Sequence, residues 1–93
     1  MNNSPKTPTV DALLTFNGVR YSEATLRFYF DLVADASNWK NPFDCTLPGI
    51  VAKCDREAIA AAVVFYAGCS PEFTGTKQGL RVTAPGYYKA VGA

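Results

Sequence analysis

The chain has 93 residues and 48% of them are hydrophobic, so it has room for one domain with one core and is not expected to be disordered throughout. Its formal net charge of +1 argues against a strongly basic nucleic-acid binder and against a polybasic membrane surface. The sequence has no histidine, which excludes His-ligated metals and the usual general base near neutral pH, so no metal, cofactor or catalytic residue is predicted.

The first nine residues are predicted to be a flexible arm. Residues 1–9 contain two prolines, two asparagines and two threonines, with hardly any apolar side chain. They also lack the apolar segment and the cleavage-like ending of a secretory signal. We therefore expect a soluble, cytoplasmic protein with a single α+β domain over residues 10–93.

The first element of that domain is predicted to be a β-hairpin. Two β-prone runs, residues 10–16 and 19–22, flank Asn17-Gly18. Asn-Gly is a preferred pair for a type I′ turn, because both central residues of that turn need a positive φ. The sequence therefore predicts two antiparallel strands joined at this pair.

Residues 24–33 fit a strand better than a helix. As a strand, they place on one side Leu26, Phe28, Phe30 and Leu32, and on the other Arg27, Tyr29 and Asp31. The alternative is a helix, which would gather on one face Leu26, Tyr29, Phe30 and Val33. A helix would leave Phe28 and Leu32 on the opposite face, so we favour the strand.

A turn-rich segment and a short strand follow. Residues 34–42 contain the only tryptophan, Trp39, and Pro42 argues against a regular helix here. Alternation then resumes and predicts a short strand with three side chains on one side, Phe43, Cys45 and Leu47.

The central prediction is a helix over residues 55–67. Asp55 is a suitable residue for its start, and Gly68 for its end. Between them, residues 58–67 carry one polar side-chain atom, the Tyr66 hydroxyl, so the helix is apolar on every face. It is too short for a bilayer, which needs about twenty apolar residues. The rest of the chain, or a second copy, must cover it.

A second hairpin is predicted after the helix. Pro71 prevents the helix from continuing, and two β-prone runs, residues 72–76 and 80–84, flank a turn in which Gly79 is free to take a positive φ. In the second strand, one face of the sheet receives the side chains of Leu80, Val82 and Ala84, and the other face receives those of Arg81 and Thr83.

These elements predict an α+β fold of order β-β-β-(β)-α-β-β, in which a single central helix packs on a mostly antiparallel sheet of four to six strands. One helix covers one face of a sheet, so the other face is open to water or to a partner. The open face is predicted to carry Arg27, Tyr29 and Arg81. Basic and aromatic residues on an open sheet are typical of single-strand nucleic-acid platforms, but acidic neighbours dilute the charge here, so nucleic acid is not the favoured partner.

Two more aromatic groups are candidate binding sites. Trp39 and Lys40 share a loop, where Trp39 is able either to stack on a partner or to fold back over the end of the core. Tyr87 and Tyr88 offer a contact surface near the C-terminus, unless one of them packs inward. The apolar helix is the candidate interface of a homodimer, through Ile59, Val63, Val64 and Tyr66.

The three cysteines are Cys45, Cys54 and Cys69. Their odd number and the lack of any Cys-x-x-Cys spacing fit neither a disulfide framework nor a zinc site, so we interpret them as buried free thiols. Cys54, at the start of the predicted helix, is the candidate nucleophile if the chain is an enzyme.

Three functions remain. The first is a non-enzymatic interaction module that forms a homo-oligomer and binds a macromolecular partner; the phage-encoded inhibitors of host machinery are one setting for such a small protein. The second is a small-ligand binder, for example of a nucleotide, with an aromatic pocket between protomers. The third is an enzyme that uses Cys54 or a carboxylate, which we disfavour because the sequence offers no base or oxyanion site for it.

Overall fold

A computed structural model describes residues 14–84 of the chain. The predicted arm over residues 1–9, the first part of the first predicted strand, and Tyr87 and Tyr88 lie outside the described residues. The described elements are, in chain order, β1 (Leu14–Phe16), β2 (Val19–Tyr21), α1 (Glu23–Ala36), β3 (Phe43–Pro48), α2 (Gly49–Ala67), β4 (Glu72–Gly75) and β5 (Gly79–Ala84).

The predicted α+β class, with a helix packed on an antiparallel sheet, is confirmed. The strands are divided between two sheets rather than joined in one of four to six: β1 and β2 form a two-stranded hairpin, and a three-stranded antiparallel sheet has the order β3-β5-β4. Both predicted turns are confirmed, since Asn17 and Gly18 have φ values of 52° and 80°, and Gly79 has a φ of 151°.

The strand predicted for residues 24–33 is wrong, because this segment belongs to α1. The Ser22 side chain accepts a hydrogen bond from the Thr25 backbone N–H and caps the helix. The buried face of α1 is built from Leu26, Phe30, Val33 and Ala34. Phe28 is left on the outside, where it is 60% exposed. The described residues therefore contain two helices, and the prediction of a single helix is also wrong.

The second helix begins earlier than residue 55. α2 starts at Gly49 after Pro48, with no side-chain cap, so residues 49–54 form its first turns. Asp55 does not cap the helix; its carboxylate accepts a 2.6 Å hydrogen bond from the Tyr29 hydroxyl of α1 and joins the two helices. The predicted end is confirmed, since Gly68 has a φ of 78° and its N–H donates to the Val64 carbonyl.

The apolar helix is covered within the chain. α2 packs on α1, β3 and β5, and it also contacts the hairpin strand β1. Fully buried side chains in its middle are Ile59, Ala61, Ala62 and Val63. Ile59 and Val63 are thus core residues, and of the four predicted interface residues only Val64 and Tyr66 keep some exposed surface. Phe65, between those two, is 39% exposed.

The three-stranded sheet has one apolar and one polar face. Its inner face packs against the helices with Phe43, Cys45, Leu47, Leu80, Val82 and Ala84, as the alternation predicted. The outer face carries Asp44, Thr46, Glu72, Thr74, Arg81 and Thr83. Cys45 and Cys69 are free thiols; Cys45 is buried as expected, whereas Cys69 is exposed. Within residues 14–84, neither helix combines the length and the apolar character that crossing a membrane requires.

Candidate functional site

The three-stranded sheet has two edges, β3 and β4, and its register shows which backbone groups point away from it. Thr76 and Gly79 exchange backbone hydrogen bonds of 2.7 and 3.3 Å across the β4-β5 turn. Hydrogen-bonded and non-hydrogen-bonded pairs alternate along an antiparallel ladder. Thr74 therefore bonds to Arg81 of β5, while Phe73 and Gly75 direct their N–H and C=O groups outward from β4.

The β3 edge is partly closed. The same alternation directs outward the backbone groups of Asp44, Thr46 and Pro48. The Asp44 N–H donates a 3.1 Å hydrogen bond to the hydroxyl of Ser37, a buried residue just after α1, and Pro48 has no N–H to donate. The outward N–H and C=O of Thr46 have no backbone partner among the described residues, so β3 keeps one free outward N–H, whereas β4 keeps two.

The β4 edge is uncovered within residues 14–84. Among residues 14–84, no strand pairs with β4 on the side away from β5, and no backbone group of another element bonds to the outward groups of Phe73 and Gly75. Glu72, Thr74 and Gly75 are exposed, and Phe73 is half-buried. Within the described part of the chain, two N–H groups and two C=O groups of this edge are therefore without a backbone partner and face outward, where an extended segment could bond to them.

A groove of about 250 Å³ lies beside this edge, on the helix side of the sheet. It is bounded by the tip of the first hairpin, by α2 and by the segment that enters β4, through Phe16, Asn17, Arg56, Glu57, Ala60, Ser70, Pro71 and Phe73. The two phenylalanines, the alanine and the proline make its interior largely apolar. The remaining residues place polar groups at its rim.

The charges at the rim are not equivalent. The Glu57 carboxylate accepts a 3.3 Å hydrogen bond from the Asn17 side-chain amide, which ties the hairpin tip to α2. The Arg56 guanidinium lies over the Phe73 ring, 5.5 Å from its centroid, and forms no ion pair with any described residue. A cation therefore lies beside this edge without a carboxylate partner among residues 14–84. Tyr21 of β2 lies near this side of α2, and burial, together with the charge of Glu57, raises the pKa of its hydroxyl above 10.0.

Trp39 folds back over the end of the core, although it remains 39% exposed. Its indole N–H donates a 2.6 Å hydrogen bond to the Asp35 carboxylate, and its ring meets those of Phe30 and Phe43 edge to face, at 6.3 and 6.2 Å. This is the alternative in which the side chain folds back over the end of the core. Lys40 is exposed at the start of the following loop.

The other predicted binding residues do not share one surface. Arg27 and Tyr29 lie on α1 and not on a sheet, so they do not join Arg81 on an open face. Arg27 forms a 3.0 Å ion pair with Asp31 and lies over the Tyr66 ring. Arg81 does lie on the outer face of the sheet, where its two hydrogen bonds to Asp44, of 2.9 and 2.7 Å, lower the pKa of that carboxyl below 3.8.

The groove residues Phe16, Arg56 and Phe73 were not predicted as a site. The sequence does show Phe73 on a strand next to Pro71, but it does not show that this strand is at the edge, because the order β3-β5-β4 depends on long-range pairing. Within the described part of the chain, no group of three acidic or cysteine side chains is placed to hold a metal ion. Comparisons with protein-family models, with curated proteins and with solved structures found no match.

Proposed function

We propose that this chain is a small, non-enzymatic interaction module that binds an extended segment of a partner protein along β4. The observation that carries the proposal is the contrast between the two sheet edges: the Ser37 hydroxyl and Pro48 leave β3 with one free outward N–H, while nothing within residues 14–84 pairs with the outward groups of Phe73 and Gly75 on β4. Strand addition to an open edge gives affinity through main-chain hydrogen bonds, and pockets beside the edge give specificity.

The neighbouring groove supports a binding role over a purely structural one. Natural proteins protect long exposed edges, since such edges pair with other chains. Here the exposed edge is only four residues long, and it borders an apolar groove with a cation at the rim. This combination favours a short, specific segment over indiscriminate sheet extension.

The proposal assigns no catalytic step. The polar side chains that form short contacts in the described residues join elements of the fold, as in Tyr29 with Asp55 and Arg81 with Asp44. Burial raises the pKa of the Cys45 thiol above 9.0, so this cysteine stays protonated and unreactive near neutral pH. A cytoplasmic location is part of the proposal, because free thiols such as Cys45 and Cys69 are typical of reducing compartments.

Homo-oligomer formation stays a prediction. The surface of α2 that could form the interface is smaller than the sequence indicated. With Ile59 and Val63 buried, the part of α2 still accessible to a second copy is centred on Val64, Phe65 and Tyr66. The small-ligand function has less support, since the Trp39 ring already contacts Phe30 and Phe43 of the protein itself. Sedimentation velocity over a range of concentrations tests the oligomer independently of β4.

The test of the proposed function is a selection of peptides from a random decapeptide phage library, followed by fluorescence anisotropy with the selected peptides. Gly75→Pro removes the outward N–H while leaving the bonds of Thr74 to β5 in place, and we expect it to weaken binding at least tenfold. Gly75→Ala is the matched control, because a Cβ at this position meets no atom within 4 Å and the N–H is kept. Peptides that bind all three proteins equally would contradict strand addition at β4, as would a selection that yields no peptide.

A further inference from the structure

We infer that the groove beside β4 selects a segment with one large apolar side chain and one carboxylate two residues away from it. This inference rests on the proposed function, because it assumes that the segment is added to β4. It goes beyond that function by naming the side chains that the segment must carry.

The register of an added strand determines which of its side chains enters the groove. Residues directly opposite each other in neighbouring strands point to the same face of a sheet. Phe73 stands opposite Val82, whose side chain is fully buried under the helices, so Phe73 also points to the helix side. A ligand residue opposite Phe73 therefore directs its side chain into the groove, and the next residue on either side points to the polar outer face.

The size of the groove fits one side chain. Its volume of about 250 Å³ is below the roughly 300–1,000 Å³ that is typical of sites for drug-sized ligands. The walls contributed by Phe16, Ala60 and Phe73 are apolar. A phenylalanine, leucine or isoleucine opposite Phe73 would bury its apolar surface there, whereas a nucleotide-sized molecule would remain largely outside.

The positive charge of Arg56 at the rim is the reason for the required carboxylate. Arg56 has no carboxylate partner among the described residues, and the Glu57 carboxylate is already engaged by Asn17. Residues two apart on a strand lie on the same face, about 7 Å from each other, which is within reach of a guanidinium that lies over the Phe73 ring. A carboxylate at that position would accept a bidentate, charge-assisted hydrogen bond from Arg56.

The test uses the anisotropy assay on selected decapeptides that bind the wild-type protein and fail to bind Gly75→Pro. In each peptide the acidic residue two positions from the apolar one is replaced in turn by glutamine and by lysine. We expect the glutamine peptide to bind about tenfold more weakly than the acidic peptide, and the lysine peptide more weakly still. With the Arg56→Gln protein, the affinities of the acidic and the glutamine peptides should differ by less than twofold.

Lys53→Gln is the matched control, because Lys53 is exposed on the same helix, three residues earlier, and does not line the groove. It should preserve the preference for the acidic peptide. Peptides that depend on Gly75 but carry no acidic residue, or whose preference for acid survives Arg56→Gln, would overturn this inference and leave strand addition in place. Peptides that do not depend on Gly75 would refute the proposed function itself.

Discussion

Gly79→Ala should destabilise the protein more than any other single-methyl change in the sheet. Gly79 begins β5 opposite Pro48 and has a φ of 151°, a region that side chains other than glycine rarely adopt. A Cβ built there would lie 1.7 Å from the Leu47 carbonyl oxygen and 2.8 Å from the Leu47 carbonyl carbon. Both are backbone atoms of β3, and the Leu47 side chain is 1% exposed. Leu47 therefore cannot move away from the added methyl without breaking the hydrogen bonds between β3 and β5.

The magnitude follows from two contributions. Forcing a non-glycine residue into this backbone region costs about 1–3 kcal/mol. Moving Gly79 to relieve the overlap also breaks its backbone hydrogen bonds with Thr76, at about 1 kcal/mol each. We therefore expect a loss of about 3 kcal/mol or more in the free energy of unfolding, and a fall in Tm of roughly 12 °C or more, since 1 kcal/mol corresponds to about 4–8 °C in a domain of this size.

The assay is thermal and urea denaturation followed by circular dichroism, with Gly75→Ala as the control. Gly75 lies in the neighbouring strand, its φ is outside the left-handed region, and an added Cβ meets open space. This control should change stability by less than about 1 kcal/mol, because no strain or overlap accompanies the added methyl. A Gly79→Ala protein within 0.5 kcal/mol of wild type, on the order of the ordinary surface effect, would refute the reasoning.

Three further predictions concern the β3 edge and the titratable groups. Ser37→Ala should lower the free energy of unfolding by about 1–3 kcal/mol in urea denaturation, because the outward Asp44 N–H loses its acceptor; an unchanged protein would show that Ser37 does not protect the β3 edge. Asp44→Asn should destabilise the protein at pH 7, and its difference in unfolding free energy from wild type should shrink as the pH falls below 3.8. The hydrogen bond from Arg81 lowers the pKa of Asp44 in the folded protein, so the ionised carboxylate stabilises the fold fully above the unfolded-state pKa, and this stabilisation is lost as the pH falls through the folded-state pKa. A difference independent of pH would contradict the pairing. With iodoacetamide at pH 7.5, peptide mass spectrometry should find Cys69 alkylated in the native protein and Cys45 alkylated only after unfolding, and rapid native labelling of Cys45 would contradict its burial.

Local signals in the sequence predicted the turns and the end of α2. Asn17-Gly18 and Gly79 each provide a positive φ where a hairpin needs one, and Gly68 does the same at the helix end. These features depend on one or two residues and their backbone preferences. No long-range contact has to be known in order to predict them.

The error in α1 shows where such local evidence is insufficient. Residues 26–32 satisfy a period of two, but Leu26, Phe30 and Val33 also fit the spacing of a helix face. Ser22 followed by Glu23 was a helix-start signal that could have decided between them, because the serine caps the first turn. In the helix, Phe28 lies on the outer face and is exposed to solvent.

The candidate site could not be predicted, because it depends on the order of strands and on what covers each edge. The sequence indicates a strand over residues 72–76, yet nothing local states that β5 lies between β3 and β4. The partial closure of β3 likewise depends on the hydrogen bond between the Asp44 N–H and the Ser37 hydroxyl at the end of α1. The same is true of the apolar helix, since its coverage by α1, the sheet and the hairpin follows from the tertiary arrangement.

Native-state amide hydrogen exchange, measured residue by residue by NMR, tests the openness of β4 most directly. In the free protein the Phe73 and Gly75 amides should exchange quickly, while the Thr74 amide between them, which bonds to β5, should be protected. A saturating selected peptide should then slow exchange at Phe73 and Gly75. Protection of both amides in the free protein, or no change when a Gly75-dependent peptide is bound, would contradict strand addition at this edge.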